Sequence, residues 1–474
     1  MADERFEDHL RHPRGRGRFV DGARDGSAGG AACGDLVRVS VRVVGDRVVE
    51  AGFEASGCGA VIAAGSAAVE LVRDATVLDA ARVGVKAISE ELGGLSPGKL
   101  HAAELASDAL ARALGEAAAR DAQAADAATP GRVLVATSGG VDSSVAALLL
   151  AREGLDVACV TLELWRDPEN DGERSCCSAG AVRLARMLAH DQGLPHLTLD
   201  LRDAFRAGVV DPYVADHAAG LTPNPCIRCN GHVRLDAMLD LATRLGAAQL
   251  ATGHYARVGE DGLLRPAVDT AKDQTYMLAA LRRESVARMR FPLGELTKPE
   301  VRAIAAEAEL PVASKPDSQD LCFLAGTGRS AFLARHGGLR ERPGDVVDLT
   351  GQVLGTHRGA HEYTVGQRRG LGVNSGDGTP LFVVATDARA NTVTVGPREA
   401  LAAHRVPVRA IRLHTGEEDV ARVKLRYKST PVPCRLRGGE LQLLEPFEGA
   451  APGQTAVFLR ADDAVLGTAT IALR

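Results

Sequence analysis

Residues 133–144 read Val133-Leu-Val-Ala-Thr-Ser138-Gly139-Gly140-Val141-Asp142-Ser143-Ser144, and this stretch decides the fold. A short apolar strand over Arg132–Ala136 runs into a glycine turn, and a helix is expected from Ser144 to about Glu153. Two glycines let the backbone turn tightly and aim N–H groups at an anion, and the N-terminus of the following helix adds partial positive charge. Ser138, Ser143 and Ser144 supply further donors. No Gly-Lys-Ser/Thr is present, which excludes a Walker A loop. Gly139-Gly140 alone would also fit a serine-capped helix after a turn. The full string between strand and helix is what points to a phosphate loop.

Working outward, strand-like runs recur at Val157–Leu162, His196–Leu199 and Gln249–Thr252, with helix-like segments between them. That alternation predicts an α/β unit with a doubly wound parallel sheet. From about Gly338 the texture becomes short β-type runs at Phe382–Ala385, Thr392–Val395, Val406–Ile411, Val423–Tyr427, Cys434–Leu436 and Ala456–Leu459. Gly, Pro and Asp punctuate them, which predicts β-rich, barrel-like units. Upstream, Leu36–Val44 and Val48–Phe53 alternate around Gly45-Asp46 as a hairpin, followed by helical patterns at Ile62–Arg73, Leu78–Val83 and Leu100–Leu114. An α+β unit with its strands first is expected there. The Ala/Asp-rich run Glu116–Gly131 separates the two patterns and ends in Pro130-Gly131. The expected domains are thus 1–118, a linker over 119–130, an α/β unit over 131–335, a central β-rich unit over 336–400 and a β-barrel over 401–474.

A length of 474 residues suits three or four domains, and 45% hydrophobic with 25% charged residues exclude a disordered chain. Aromatics are only 3%, so the cores must be built from Ala, Val and Leu. No apolar run reaches about 18 residues, and the charged start Met-Ala-Asp-Glu-Arg lacks a signal-type apolar segment. A cytoplasmic location with no membrane partner is the expectation. The net charge of −5 looks unfavourable for nucleic acid. Residues 1–130, however, hold 15 basic and 20 acidic residues, while the remaining 344 hold 41 of each. Residues 402–438 carry nine Lys/Arg against three acids, a local excess that suits a phosphate backbone. Lys424 and Arg426 would share one side of a strand over Val423–Tyr427.

Nine cysteines occur, at 33, 58, 159, 176, 177, 226, 229, 322 and 434. In a cytosolic chain they read as metal ligands, reactive thiols or core packing. Thr222-Pro-Asn-Pro-Cys226-Ile-Arg-Cys229-Asn holds a CxxC pair, and Asp317-Ser-Gln-Asp-Leu-Cys322-Phe a third thiol. Two thiols from distant segments suit sulfur transfer, one carrying a persulfide and the other attacking it. Half of a zinc site, a thioredoxin-type pair or, for Cys322, simple burial stay open.

Taken in order, SGGVDSS (138–144), TPNPCIRCN (222–230), ATGHYAR (251–257), KDQTYML (272–278), FPLGELTKPEVR (291–302), DSQDLCF (317–323), YTVGQRRGLG (363–372), RYKSTPVPC (426–434) and PGQTAVF (452–458) resemble the tRNA-specific 2-thiouridylase family. The first motif is similar to the PP-loop of ATP pyrophosphatases, a Rossmann-like, adenine nucleotide alpha hydrolase-like fold. The resemblance implies ATP and Mg²⁺, and ATP-dependent thiolation of C2 of the wobble uridine in tRNA. It places Ala136, Thr137, Ser138, Gly139, Gly140, Val141, Asp142 and Ser143 on the ATP phosphates, with Leu162 (where Met is common) and Gly253 on the nucleotide. Asp142 would also help hold the metal. Cys229 matches the nucleophile and Cys322 the persulfide cysteine, which implies persulfide and disulfide chemistry. Asn224, Pro225 and Cys226 match the segment that meets the target base. His254, Lys272, Asp273, Gln274, Arg426, Tyr427 and Gln454 match tRNA-contacting positions. Cys226 stands where many members have Asp, so Cys226, Cys229 and Cys322 could instead ligate a [4Fe–4S] cluster. The implied sulfur donor is a cysteine desulfurase or persulfide carrier.

A second constellation lies upstream. Cys33, Asp35, Cys58 and His101 form a chemically reasonable Zn or iron–sulfur set. HPRGRGRF (12–19), AACGDLVRVSVRV (31–43), FEASGCGAVIAA (53–64) and LSPGKLHAAELASDAL (95–110) resemble the iron–sulfur cluster scaffold (NifU N-terminal, IscU-like) family. That family has a third cysteine after the His, and here Ala102 takes its place. The expectation is a degenerate scaffold-like domain that docks a desulfurase, with an iron–sulfur or sulfur carrier as the alternative. Two other readings of the whole chain are a PP-loop amide-forming synthetase, which needs no thiols, and a non-enzymatic cluster carrier.

Overall fold

The computed structural model describes residues 2–18, 21–29, 34–122, 128–167, 178–317, 321–324, 326–376 and 378–473. Cys33, Cys176, Cys177 and Ser318–Asp320 lie outside the described residues. The chain forms two compact units, 1–202 with 237–254 and 288–322, and 203–236 with 255–287 and 323–474.

The first unit opens with helix α1 (Ala2–Arg11), which the sequence reading missed by placing strands first. An antiparallel sheet follows, β1 (Arg24–Gly29), β2 (Leu36–Val44) and β3 (Arg47–Ser56), in that order. Val44 pairs with Arg47, so Gly45-Asp46 is the expected two-residue hairpin, with Gly45 at φ +64°. Helix α2 (Gly59–Leu71) packs on β3, and the 21-residue helix α3 (Leu100–Arg120) on β1 and β2. The apolar spacing predicts that α3 ends near Leu114. It runs on to Arg120 because Gly115, Ala117 and Ala118 bury as small residues.

The parallel sheet runs in the order β8 (Met289–Arg290), β7 (Gln249–Thr252), β4 (Arg132–Ala136), β5 (Asp156–Glu163), β6 (His196–Asp200). Helices α4 (Val141–Arg152) and α5 (Ala179–Asp191) follow β4 and β5, and α6 (Lys298–Glu307) follows β8. Val133, Val135, Leu150, Val157, Ala189 and Ala251 form its core, with scarcely an aromatic. Cys159 sits among them, and burial pushes its thiol up to about 12, so it is packing and not chemistry.

In the second unit, strands 353–357, 344–347, 392–396 and 382–387 form a four-stranded sheet. Strands Ala402–Leu413, Glu440–Glu448, Val432–Arg437, Arg422–Lys424, Thr455–Leu459 and Val465–Ile471 close a six-stranded barrel. Val423, Leu441, Phe458 and Leu466 fill it. One expectation fails here. The strand predicted over Val423–Tyr427 stops at Lys424, because the chain turns at Arg426, whose carbonyl accepts from Ser429 N (3.0 Å) and Oγ (2.8 Å). Arg426 is therefore a turn residue and shares no strand face with Lys424. No described helix is long and apolar enough to cross a membrane.

One group of rings packs together in the second unit. Tyr213, His217, Phe323 and Phe332 form one cluster with ring separations of 4.6–6.5 Å. Phe323 is thereby anchored, and it follows Cys322 directly in the chain. Burial pushes His217 down to about 4, so the folded protein holds it neutral while the unfolded chain takes up a proton below about 6.5. Stability from this group is complete above about pH 6.5 and falls as pH drops towards 4, by up to about 3 kcal/mol at 1.36 kcal/mol per unit. In urea titrations between pH 7 and 4, His217→Gln is expected to show a flatter loss of stability than wild type. Parallel slopes would reject the assignment.

Candidate functional site

The turn after β4 places Gly139 at φ +66°, where a Cβ would lie 2.7 Å from Ala181 O on α5. Only glycine fits there, and the loop seats directly on the first turn of α5. Gly140 caps α4 with extended backbone. Ser143 Oγ accepts from Ser138 N (3.1 Å) and donates to Gly140 O (3.2 Å), while Ser144 Oγ donates to Gly140 O (2.9 Å). These bonds hold the loop open around the α4 N-terminus. Thr137 N donates to Val160 O (2.8 Å), and its hydroxyl meets Thr161 Oγ1 at 2.9 Å.

Three residues missed in the sequence complete this loop. Lys298 Nζ, at the start of α6, bonds both oxygens of Asp142 (2.7 and 2.8 Å) and Asp317 (2.8 Å). Lys315 Nζ donates to Gly139 O at 2.8 Å, and Arg302 reaches Asp317 at 3.2 Å. The available signal was FPLGELTKPEVR, in which Thr297 and Glu300 form a capping box that fixes the α6 start and so Lys298. Gly253, after β7, is a close-approach glycine, with a Cβ that would fall 2.7 Å from Asp142 C and Ser143 N. Leu162 is buried in β5, and His254 Nδ1 bonds Thr252 Oγ1 at 2.8 Å. Loop amides, the Ser138 hydroxyl and two lysines are a donor set that fits a triphosphate.

The second unit holds the CxxC segment on a short helix, Pro225–Cys229. Asn224 caps it through Cys226 N (3.1 Å), and Pro225 takes the first helical position, where no N–H is needed. Cys229 is buried and Cys226 half-buried. Tyr276, also missed, is buried, donates to Thr455 O (2.7 Å), and lies 5.9 Å from the Tyr427 ring. Burial raises its hydroxyl pKa. Three residues that match tRNA-contacting positions also make hydrogen bonds within this unit. Asp273 accepts from Ala267 N and Thr275 Oγ1, Gln274 Oε1 accepts from Tyr255 N, and Gln454 Nε2 donates to Thr222 O. Lys272 and Tyr427 are half-buried and Arg426 is exposed.

Upstream, the structure joins three of the four expected ligands. The donor atoms of Asp35, Cys58 and His101 all lie within 4.8 Å of one another. His101 Nε2 is 3.1 Å and Cys58 Sγ 3.5 Å from Asp35 Oδ2. Gly57, at φ +137°, is required because a Cβ would strike Asp35 Oδ1 at 1.9 Å. Thiol, carboxylate and imidazole fit a Zn or iron site. Ala102, next to His101 in the chain, is fully buried.

Four family models match the chain: NifU-like N terminal domain (2–124), tRNA methyl transferase HUP domain (131–326), tRNA methyl transferase PRC-barrel domain (330–397) and Aminomethyltransferase beta-barrel domain (403–471). A protein of Rubrobacter xylanophilus named "Bifunctional protein NifU/MnmA" is 46% identical over 99% of this chain and 98% of its own length. The chain belongs to the tRNA-specific 2-thiouridylase (MnmA) family, joined to a NifU-like domain. Proteins of that family from Salinispora tropica and Thermobifida fusca are 47% and 46% identical over 72% of this chain. The alignments span 99% and 95% of those relatives, so most of the upstream unit has no counterpart in them.

Gly253→Ala is expected to displace the Asp142–Ser143 backbone and weaken ATP binding at least about tenfold by calorimetry, about 1.4 kcal/mol. Wild-type affinity would show that the close approach does not shape the loop.

Proposed function

We propose that this chain is a tRNA-uridine 2-sulfurtransferase, thiolating C2 of the wobble uridine at the expense of ATP. The observation that carries the reading is an intact phosphate loop and two thiols in separate motifs within one chain. Its 46% identity over nearly the whole length to the bifunctional relative supports it. Methyl transfer, named in two of the family descriptions, needs neither an ATP-binding phosphate loop nor a pair of thiols that exchange sulfur.

In this reading the loop from Ala136 to Ser143 holds ATP, aided by Gly253 and Leu162, and Lys298 and Lys315 offset phosphate charge. Asp142, the carboxylate at the helix start, would help hold a Mg²⁺ ion, which would offset charge on the phosphates. The uridine O2 attacks the α-phosphorus, the bond to pyrophosphate breaks, and C2 carries an adenylate. Cys322 receives a sulfur atom from a cysteine desulfurase or persulfide carrier. The Cys229 thiolate attacks Cys322 Sγ, the persulfide S–S bond breaks, hydrosulfide leaves and a Cys229–Cys322 disulfide forms. Hydrosulfide adds to C2, and AMP departs with the oxygen. A two-electron thiol reductant restores both cysteines. Asn224, Pro225 and Cys226 present the base, and His254, Lys272, Arg426 and Tyr427 meet the tRNA.

Mass spectrometry of tRNA nucleosides after incubation with ATP and a persulfide donor is expected to show 2-thiouridine from wild type and none from Cys322→Ala or Cys229→Ala. Undiminished product from Cys322→Ala would sink the persulfide route. The thiol at Cys226, three residues before Cys229 on the same helix, favours one second reading, a [4Fe–4S] cluster on Cys226, Cys229 and Cys322. An anaerobic preparation that is active without iron or labile sulfide removes it. At the upstream site, Asp35, Cys58 and His101 would hold a zinc or iron ion. One Zn²⁺ per chain is expected to be lost in Cys58→Ser, and unchanged stoichiometry would reject that ligand set.

A further inference from the structure

The NifU-like part is built into the nucleotide domain of the first unit. Three separate contacts lead from it to the phosphate loop. Asp108 on α3 pairs with Arg186 on α5, which is 1% exposed, and α5 is the helix on which Gly139 sits. Arg112, one turn further along α3, bonds Asp108 (2.7 Å) and Glu163 (2.7 Å), and Glu163 adjoins Leu162 at the end of β5. Ala81 O accepts from His196 N (2.9 Å) on the edge strand β6 and from His190 Nε2 (3.0 Å). The His196 ring then bonds Thr161 Oγ1 (2.8 Å), which meets Thr137 of the loop.

The surfaces are shaped for each other. A Cβ on Gly115 would lie 2.0 Å from Thr198 O on β6, and one on Gly84 would lie 2.4 Å from the His190 ring. The ion set is neutral and alternates between the two sides, Asp108 and Arg112 upstream against Arg186 and Glu163 downstream. Burial opposes ionisation of Asp108, yet the two guanidiniums hold its carboxyl below the usual range. Burial also keeps His196 neutral, so the second charge there is avoided. An arginine this deep tolerates neither loss of its partner nor withdrawal of the surface that covers it.

We propose that the NifU-like domain is a positioning element for the nucleotide site, with Asp108 and Arg112 as positioning residues acting through Arg186 and Glu163. The inference rests on the ATP-dependent reading above and adds a source of nucleotide affinity that the shorter relatives do without.

The test uses the full chain and equilibrium binding of ATP without tRNA. Asp108→Asn keeps the shape and removes the charge, and Gly115→Val separates α3 from β6. Both are expected to raise the ATP dissociation constant about tenfold or more, with tRNA binding within twofold of wild type. Asp108→Glu, which keeps the carboxylate facing Arg186 and Arg112, should retain more of the affinity than Asp108→Asn, a charge dependence that a merely damaged fold would not show. If Gly115→Val fails to fold, Asp108→Asn carries the test alone. Wild-type ATP affinity in a folded Asp108→Asn chain overturns the proposal and leaves the functional reading standing. A wild-type chain that binds no ATP overturns both.

Discussion

The first unit depends on one constraint, an alanine-rich helix shared by two sheets. Helix α3 buries Ala102, Ala106, Ala109, Ala113 and Ala117. Its backbone is approached from both sides, since a Cβ on Gly26 of β1 would lie 2.0 Å from Ala109 O, just as one on Gly115 would meet Thr198 O. Large side chains would hold either sheet away, as interiors pack without spare volume. The low aromatic content is therefore a structural requirement here. It permits backbone-to-backbone packing across which the charged side chains of Asp108 and Arg112 can reach their partners.

The phosphate loop follows the same logic of close approach. Gly139 against α5 and Gly253 against α4 let three chain segments converge on one helix start, and Lys298 and Lys315 tie the segments after β8 to it. A loop fixed by hydroxyls and lysines before ligand arrives needs little rearrangement to receive phosphate, which is the general route to affinity through preorganisation. The charges around it are already paired, Lys298 with Asp142 and Asp317, so an anion arriving at the loop would meet an ordered network.

Much of this was legible in the sequence for a physical reason: local chemistry decides strands, turns and caps. Arg132–Ala136 and Gln249–Thr252 were read to the residue, and the Gly45-Asp46 hairpin by its turn. Asp35, Cys58 and His101 were grouped from residue type alone. What was not legible depends on partners far along the chain. Nothing local to Arg186 announces that Asp108 neutralises it, 78 residues away. The strand over Val423–Tyr427 failed because a serine three residues on pulls Arg426 into a turn. Asp273, Gln274 and Gln454 match tRNA-contacting positions, and their hydrogen bonds inside the fold, which depend on partners elsewhere in the chain, could not be read from them locally.

The docked helix also bears on what the upstream site can do. His101 lies in the first turn of α3 and bonds Asp35, which also accepts from Cys58, so the three form one cluster. A sulfur carrier delivers by moving its thiol to a distant acceptor. Moving Cys58 as part of a rigid body would draw α3 off β6 and leave Arg186 buried without Asp108, a loss of about 3–5 kcal/mol for a broken buried pair. The thiol itself is exposed. A site that is costly to move and open to solvent suits a visiting partner or a resident metal ion better than a swinging arm, and Ala102 in place of the family's third cysteine removes the thiol that a relay would need.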